Sequence, residues 1–178
     1  MKQEIEVFDY AREITTALYN GVLLTTKKGN KINSMTIGWG MLGRIWEKPA
    51  FIAFVREGRF TREQLDATME FTVNIPYAVY DKEILGYCGS RTGKNIDKAK
   101  DLDLTLVRSD FVAAPGIKEM PLTLECKVVY RQMQDKNAIP EDIREMMYPE
   151  NVDSSNPMAN RDCHVAYYGQ ILKSYIIR

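Results

Sequence analysis

Four short stretches of the chain carry side chains able to do chemistry. The first is Asn33-Ser34-Met35-Thr36-Ile37-Gly38-Trp39-Gly40, polar groups set among apolar ones. In a regular strand Asn33 and Met35 face one side, and Ser34 and Thr36 the other. One pair can then address a ligand while the backbone between them donates N–H groups. Glycines on both sides of Trp39 permit close backbone approach or a bulge. A strand end with turn residues has the same composition. The second stretch, Arg56-Glu57-Gly58-Arg59-Phe60-Thr61, sets two arginines ahead of a helix start, because Thr61-Arg62-Glu63-Gln64 has the pattern of a capping box. Unpaired N–H groups, the helix dipole and guanidinium forks together suit a phosphate. A solvated basic loop would read alike.

The third stretch is Thr92-Gly93-Lys94-Asn95-Ile96-Asp97-Lys98, a glycine loop entering a helix. It is a second anion site or a helix start with surface lysines, and it lacks the spacing of a P-loop. The fourth is His164, the only histidine, just ahead of Tyr167 and Tyr168. A lone strand histidine is either a hydrogen-bonded structural residue or one that faces a ligand. Cys163 beside it is a candidate for a lowered thiol pKa, whereas Cys88 and Cys126 read as small hydrophobes. No Ser-His-Asp or Cys-His pairing follows from the spacing.

The elements that must position these groups are mostly strands. Residues 21–27 and 32–38 flank the turn Lys28-Gly29-Asn30 and read as a hairpin. Residues 50–55 form a short, wholly apolar run whose length favours a buried strand. Residues 71–75 are another strand, stopped by Pro76. In 121–131, Leu122, Leu124, Cys126, Val128 and Tyr130 alternate with Thr123, Glu125, Lys127, Val129 and Arg131, which predicts one row inside and one mostly in water. Residues 165–177 read as a long closing strand. Helices are predicted over 8–19, from Thr61, over 79–87, 95–101 and 140–147, with an exposed loop at 149–161. This order suggests a mainly β protein with inserted helices, a decorated barrel. No G-x-G-x-x-G follows a strand, so a dinucleotide fingerprint is missing.

A length of 178 residues suits one domain, residues 1–178, and 45% apolar content supplies a core. Lys plus Arg (24) balance Asp plus Glu (24), which leaves no global electrostatic case for nucleic acid or an anionic membrane. Any anion site must be a local cluster. The first residues lack the apolar stretch of a secretory signal, and no run approaches the roughly 18 apolar residues of a membrane span. Three scattered cysteines and one histidine argue against a disulfide framework or a structural zinc site. The expectation is a cytoplasmic protein with no metal.

Taken together the segments resemble the flavin reductase-like family of FMN-binding split barrels, and within it the flavoredoxin-like branch. The resemblance runs from about Thr16 to Ile177 and rests first on residues 33–40, similar to an Asn-x-Met-Thr-x-Gly-Trp signature. Residues 55–61 resemble a Val-Arg-x-x-Arg-aromatic-Thr stretch, 71–76 the strand after it, 88–98 a Cys-Gly-x-x-Ser-Gly-Arg-Asp-x-Asp-Lys segment, and 164–171 a closing His…Gly-Glu-Ile strand. The resemblance implies that Asn33, Ser34, Met35 and Thr36, with Trp39, meet the isoalloxazine edge and ribityl chain of FMN. It implies that Arg59 and Thr61, with Arg56, hold the phosphate, that Thr92, Lys94 and Lys98 complete that site, and that His164 sits by the flavin or substrate. Thr92 and Lys94 stand where Ser and Arg are usual, and Gln170 where Glu is usual. A lysine is a point charge, not a bidentate fork, so this arm grips phosphate more loosely. The implied protein is a homodimeric FMN oxidoreductase fed by NAD(P)H or a protein donor such as ferredoxin, and serving a small-molecule or protein acceptor. An FMN electron carrier and a binding module without turnover are the competing readings. Because a flavin carries the redox chemistry itself, the missing triad is expected.

Overall fold

The computed structural model describes residues 1–78, 80–150, 152 and 162–178. The chain opens with β1 (Lys2–Glu4), and a 3-10 turn, Val7–Tyr10, leads into α1 (Ala11–Ala17). β2 (Val22–Lys28) and β3 (Lys31–Ile37) form the expected hairpin around Gly29-Asn30, with Gly29 at φ 58°. β4 (Gly40–Ile45) and β5 (Lys48–Arg56) make a second hairpin, and then come α2 (Phe60–Thr68) and β6 (Glu70–Ile75). α3 (Lys82–Ser90) and α4 (Lys98–Asp101) precede the tiny pair β7 (Leu106–Val107) and β8 (Gly116–Ile117). The chain ends with β9 (Leu122–Met133), α5 (Glu141–Met147) and β10 (His164–Ile177).

The main sheet is antiparallel throughout and runs β3-β2-β6-β9-β10-β5-β4, with β1 added to β10. Its terminal strands, β3 and β4, are joined by only two residues, Gly38 and Trp39. Three Cα steps span at most about 11 Å, so the two edges must come together and the sheet curls into a barrel. β10 is the spine of that barrel. Its first half pairs with β5 and its last residues pair with β1, while β9 runs along its other edge. Inside lie Phe51, Phe71, Val73, Leu124, Cys126 and Tyr167, capped by Ile14 and Leu18 at one end and by Leu65 of α2.

Several sequence expectations change. The β4–β5 hairpin was not anticipated because its turn, Trp46-Glu47, has none of the usual asparagine or glycine. Both residues nevertheless take left-handed φ values, 48° and 60°, as a two-residue hairpin requires. The capping box is absent: α2 begins one residue before Thr61, its N-cap Arg59 makes no side-chain cap, and Gln64 instead reaches Thr26 Oγ1 and the Lys31 carbonyl. The helices expected at 79–87 and 95–101 start at Lys82 and Lys98, where Asp81 and Asp97 cap them. The loop expected at 149–161 lies almost wholly outside the described residues.

The alternation expected in β9 breaks twice. The register of β10 against β9 shifts between Tyr168 and Gly169, so Val129 is an extra residue and Tyr130 turns outward. The other row is not in water at its start. Thr72, Asn74, Thr123 and Glu125 are buried under residues 109–117, which cover the sheet's outer face. The Glu125 carboxylate there accepts the backbone N–H groups of Asp110 and Phe111 at 2.7–3.0 Å. A row can be polar and buried when each group finds a partner. Among the described residues no helix is long and apolar enough to cross a membrane.

Candidate functional site

The site forms where the barrel's edges meet. A cleft of about 330 Å³ is lined by Met35 to Trp39 of β3 and its link, by Phe54, Arg56 and Arg59, and by Met147, Tyr148 and His164. A smaller recess of about 80 Å³ shares Met35 and Arg59 with it and extends to Asn33, residues 58–61, Cys88, residues 91–93 and Lys98. The closure that makes the barrel therefore also brings 33–39, 56–61, 91–98 and His164 together.

β3 is gripped on both faces. On the recess side Asn33 Nδ2 donates to Thr61 Oγ1 at 2.8 Å, and Thr61 Oγ1 donates to Met35 Sδ at 3.5 Å. On the other side Ser34 Oγ meets Thr25 Oγ1 at 2.9 Å, and Thr36 Oγ1 donates to the Leu85 carbonyl at 2.6 Å. The expected alternation is present. Ser34 thus belongs to the polar ladder of the sheet and lines neither cavity, while its carbonyl carries one end of the Lys98 contact. α2 is held from behind by Asp66, which accepts the Tyr167 hydroxyl at 2.7 Å and pairs with Arg131 and Arg62. Burial alone would raise that carboxyl's pKa, but the hydrogen bonds from Tyr167 and Arg131 outweigh it and hold it below the usual range.

Arg59, Arg91 and Lys98 line the recess, and among the described residues none that lines it is acidic. The N-terminus of α2 opens onto it, with first-turn N–H groups that a helix leaves unpaired. Lys98 is only 3% exposed, and its ammonium donates to two neutral carbonyls, Ser34 and Cys88, both at 2.9 Å. Burial is the main cause that lowers its pKa, and the nearby Arg59 adds to this. A buried ammonium has three donors and is costly without a counter-charge. An anion in the recess would supply that charge. Asn33 Oδ1 is buried there without a hydrogen-bond partner, and a Cβ on Gly93 would lie 1.8 Å from it. Only glycine leaves that acceptor room for a hydroxyl donor. Three cations, a helix start and an orphaned acceptor fit the phosphate and hydroxyls of a polyol phosphate.

The predicted residues do not all converge. Asn33, Met35, Thr36, Trp39, Arg56, Arg59, Thr61, Thr92, Lys98 and His164 line the cleft or the recess. Lys94 is exposed and lines neither, because the second helix starts at Lys98; Arg91 stands at the recess in its stead. Arg56 lines the cleft with its guanidinium 3.7 Å from Asp162, whose carboxylate also accepts the Gly58 N–H. Cys163 is corrected outright: burial, the leading cause, raises its thiol pKa. Burial likewise pushes Cys88 up to about 11, against the pull of Lys98. Sequence reasoning missed Arg91, which is unmarked within the 88–98 segment, and Tyr148, whose only signal is an aromatic at a helix end. Among the described residues no group of three His, Cys, Asp or Glu could hold a metal ion.

The fit of Gly93 to Asn33 makes a direct prediction. Gly93→Ala should destabilise the protein by about 1–3 kcal/mol, the usual cost of overpacking. Added on top of Asn33→Ala, it should cost much less, as a double-mutant cycle by urea denaturation will read.

Comparison with known proteins places this geometry. The flavoredoxin of Desulfovibrio vulgaris (Miyazaki F) is similar in fold, with TM-score 0.65 and 21% identity over 89% of this chain and 69% of that one. The flavoredoxin of Methanosarcina acetivorans gives TM-score 0.64 and 24% identity over 89% and 68%. An FMN-binding domain of a flavin reductases-like enzyme from Shewanella baltica gives TM-score 0.66 and 14% identity over 99% and 77%. An uncharacterised protein of Archaeoglobus fulgidus is 31% identical over 99 residues, 56% of this chain, and the match spans 55% of that protein's length. Residues 18–168, which contain both hairpins, the recess, the cleft and His164, match the model of the flavin reductase like domain, and the chain belongs to that family.

Proposed function

We propose that this protein binds FMN and works as an FMN-dependent oxidoreductase. The observation that carries the reading is the recess: Arg59, Arg91 and Lys98 converge on the start of α2, and among the described residues no acidic one lines it. Such a set suits a phosphate dianion. Arg59 and Met35, common to recess and cleft, lead from the phosphate toward a wider space walled by Trp39, Phe54 and His164. A cleft whose lining mixes apolar walls with polar groups can seat a flat ring that has polar edges. Asn33 Oδ1 would take a hydroxyl of the ribityl chain. When bound, FMN supplies two-electron chemistry, and the side chains bind it, orient it and exclude water.

The donor in this reading is NADH, NADPH or reduced ferredoxin. A homodimer also belongs to the reading. Met41, Ile52, Tyr168 and Tyr130 lie in register across β4, β5, β10 and β9, and the rings of Trp46, Tyr130 and Tyr168 touch in sequence. Met41, Trp46 and Tyr130 are exposed, so this row is an apolar face that a second copy would cover.

Arg59→Ala should weaken FMN binding about 10- to 100-fold, the range for loss of a charged hydrogen bond, and leave riboflavin affinity unchanged. Equal loss for both ligands would refute the phosphate assignment, and a chain that takes up no added FMN would end the whole reading. Anaerobic addition of NADH, NADPH or reduced ferredoxin to the FMN-loaded protein should bleach the flavin with one of the three. If none bleaches it, the oxidoreductase reading fails. Tyr130→Glu should shift the protein from dimer to monomer in sedimentation; an unchanged species would show that the dimer, if formed, uses another face.

A further inference from the structure

Arg91 reaches the recess from the end of α3, where it is the C-cap in an extended conformation. Its N–H donates to the Tyr87 carbonyl at 3.3 Å, and its guanidinium carbon lies 4.7 Å from the centre of the Tyr87 ring. Main chain and side chain of Arg91 therefore both rest on Tyr87, one helical turn back. Among the described residues its exposed guanidinium has no carboxylate partner and no hydrogen-bond acceptor. The ring attracts the positive charge and uses none of the five N–H donors.

The ring is fixed in turn from α4. The Tyr87 hydroxyl donates to Asp101 Oδ2 at 2.7 Å. That bond is the main cause that raises the phenol's pKa, so Tyr87 stays neutral and keeps its proton. One turn earlier on α4, Lys98 donates to the carbonyl of Cys88, the residue after Tyr87. α4 thus grips α3 at two consecutive residues, and both ends of the 91–97 loop are set. Lys94, the arm expected in that loop, lines neither cavity.

We propose that Tyr87 is a positioning residue that holds Arg91 at the recess, unpaired, as a cationic arm for the phosphate of the ligand. An arginine that is loose in solvent loses rotamer freedom when it grips an anion, and one already ordered on a ring loses less. This deepens the phosphate reading of the recess, on which it rests.

Inorganic phosphate is the probe, titrated at constant ionic strength into the ligand-free, 15N-labelled protein, with the amide of Gly93 in the recess as reporter. That signal should move saturably; one that does not move overturns the proposal. Arg91→Ala should weaken phosphate binding about 10-fold. Tyr87→Leu should weaken it about 2- to 5-fold, the range for an exposed cation–π contact. Added to Arg91→Ala, Tyr87→Leu should cost nothing more, and Tyr87→Phe, which keeps the ring, should bind like the unaltered protein. A Tyr87→Leu effect that persists without Arg91, or equal affinities for Tyr87→Leu and Tyr87→Phe, would overturn the role of Tyr87. A second measurement needs no variant of Tyr87: the Arg91 side-chain protons should lie upfield in the ligand-free protein, shielded by the ring, and ordinary shifts would contradict the proposal. FMN uptake is scored separately. A chain that binds phosphate in this way yet takes up no FMN ends the flavin reading alone. One that takes up FMN while Tyr87→Leu binds phosphate unchanged ends this inference alone.

Discussion

The two-residue link Gly38-Trp39 is the constraint on which the rest of this structure depends. Because it ties β3 to β4, the far edges of a seven-strand path must meet, and the cleft lies along the seam. The same requirement explains Gly40, where a Cβ would fall 2.6 Å from the Phe51 ring of the neighbouring strand. A barrel closed by hydrogen bonds all round would bury its interior completely. One closed by a short covalent link leaves a gap that side chains from β3, β5 and β10 line but do not fill. The polar residues of β3 are tolerable at this seam because each face of the strand has partners, Thr61 on one side and Thr25 on the other.

Lys98 shows what holding a buried charge beside the recess costs. A buried ammonium held by two carbonyls ties the 88–98 segment to β3 and so shapes the recess. Its lowered pKa records the cost of holding that charge away from water with Arg59 close by. Such a group stabilises little by itself. It becomes favourable when an anion arrives, because the burial that penalises a lone charge strengthens a paired one. The arrangement is preorganised, since most of the recess is set by backbone-anchored contacts that need no ligand.

Much of the fold was legible in the sequence, for definite reasons. The β2–β3 hairpin announced itself through Gly29-Asn30, and the long closing strand through its length. The β4–β5 turn was not legible, since tertiary closure imposes left-handed backbone on Trp46 and Glu47 that local chemistry does not request. The face reversal at Tyr130 was hidden because a bulge at Val129 leaves no mark in an alternating pattern. At the site, the residue types at 33–36, 59–61 and 98 were informative because polar groups in apolar settings need a reason. Arg91 and Tyr148 were not, because what matters is their position across the fold. Lys94 misled for the opposite reason: it stands beside a glycine in sequence but outside the recess in space.

The central claim is that one recess, between the start of α2 and Lys98, receives the phosphate of the flavin nucleotide. A crystal structure of the protein grown with FMN tests it most directly. The account predicts the phosphorus atom inside the recess, with its oxygens within hydrogen-bond reach of Arg59, the first-turn N–H groups of α2 and Lys98 Nζ. A well-ordered FMN whose phosphate points to solvent and leaves the recess to water would contradict it.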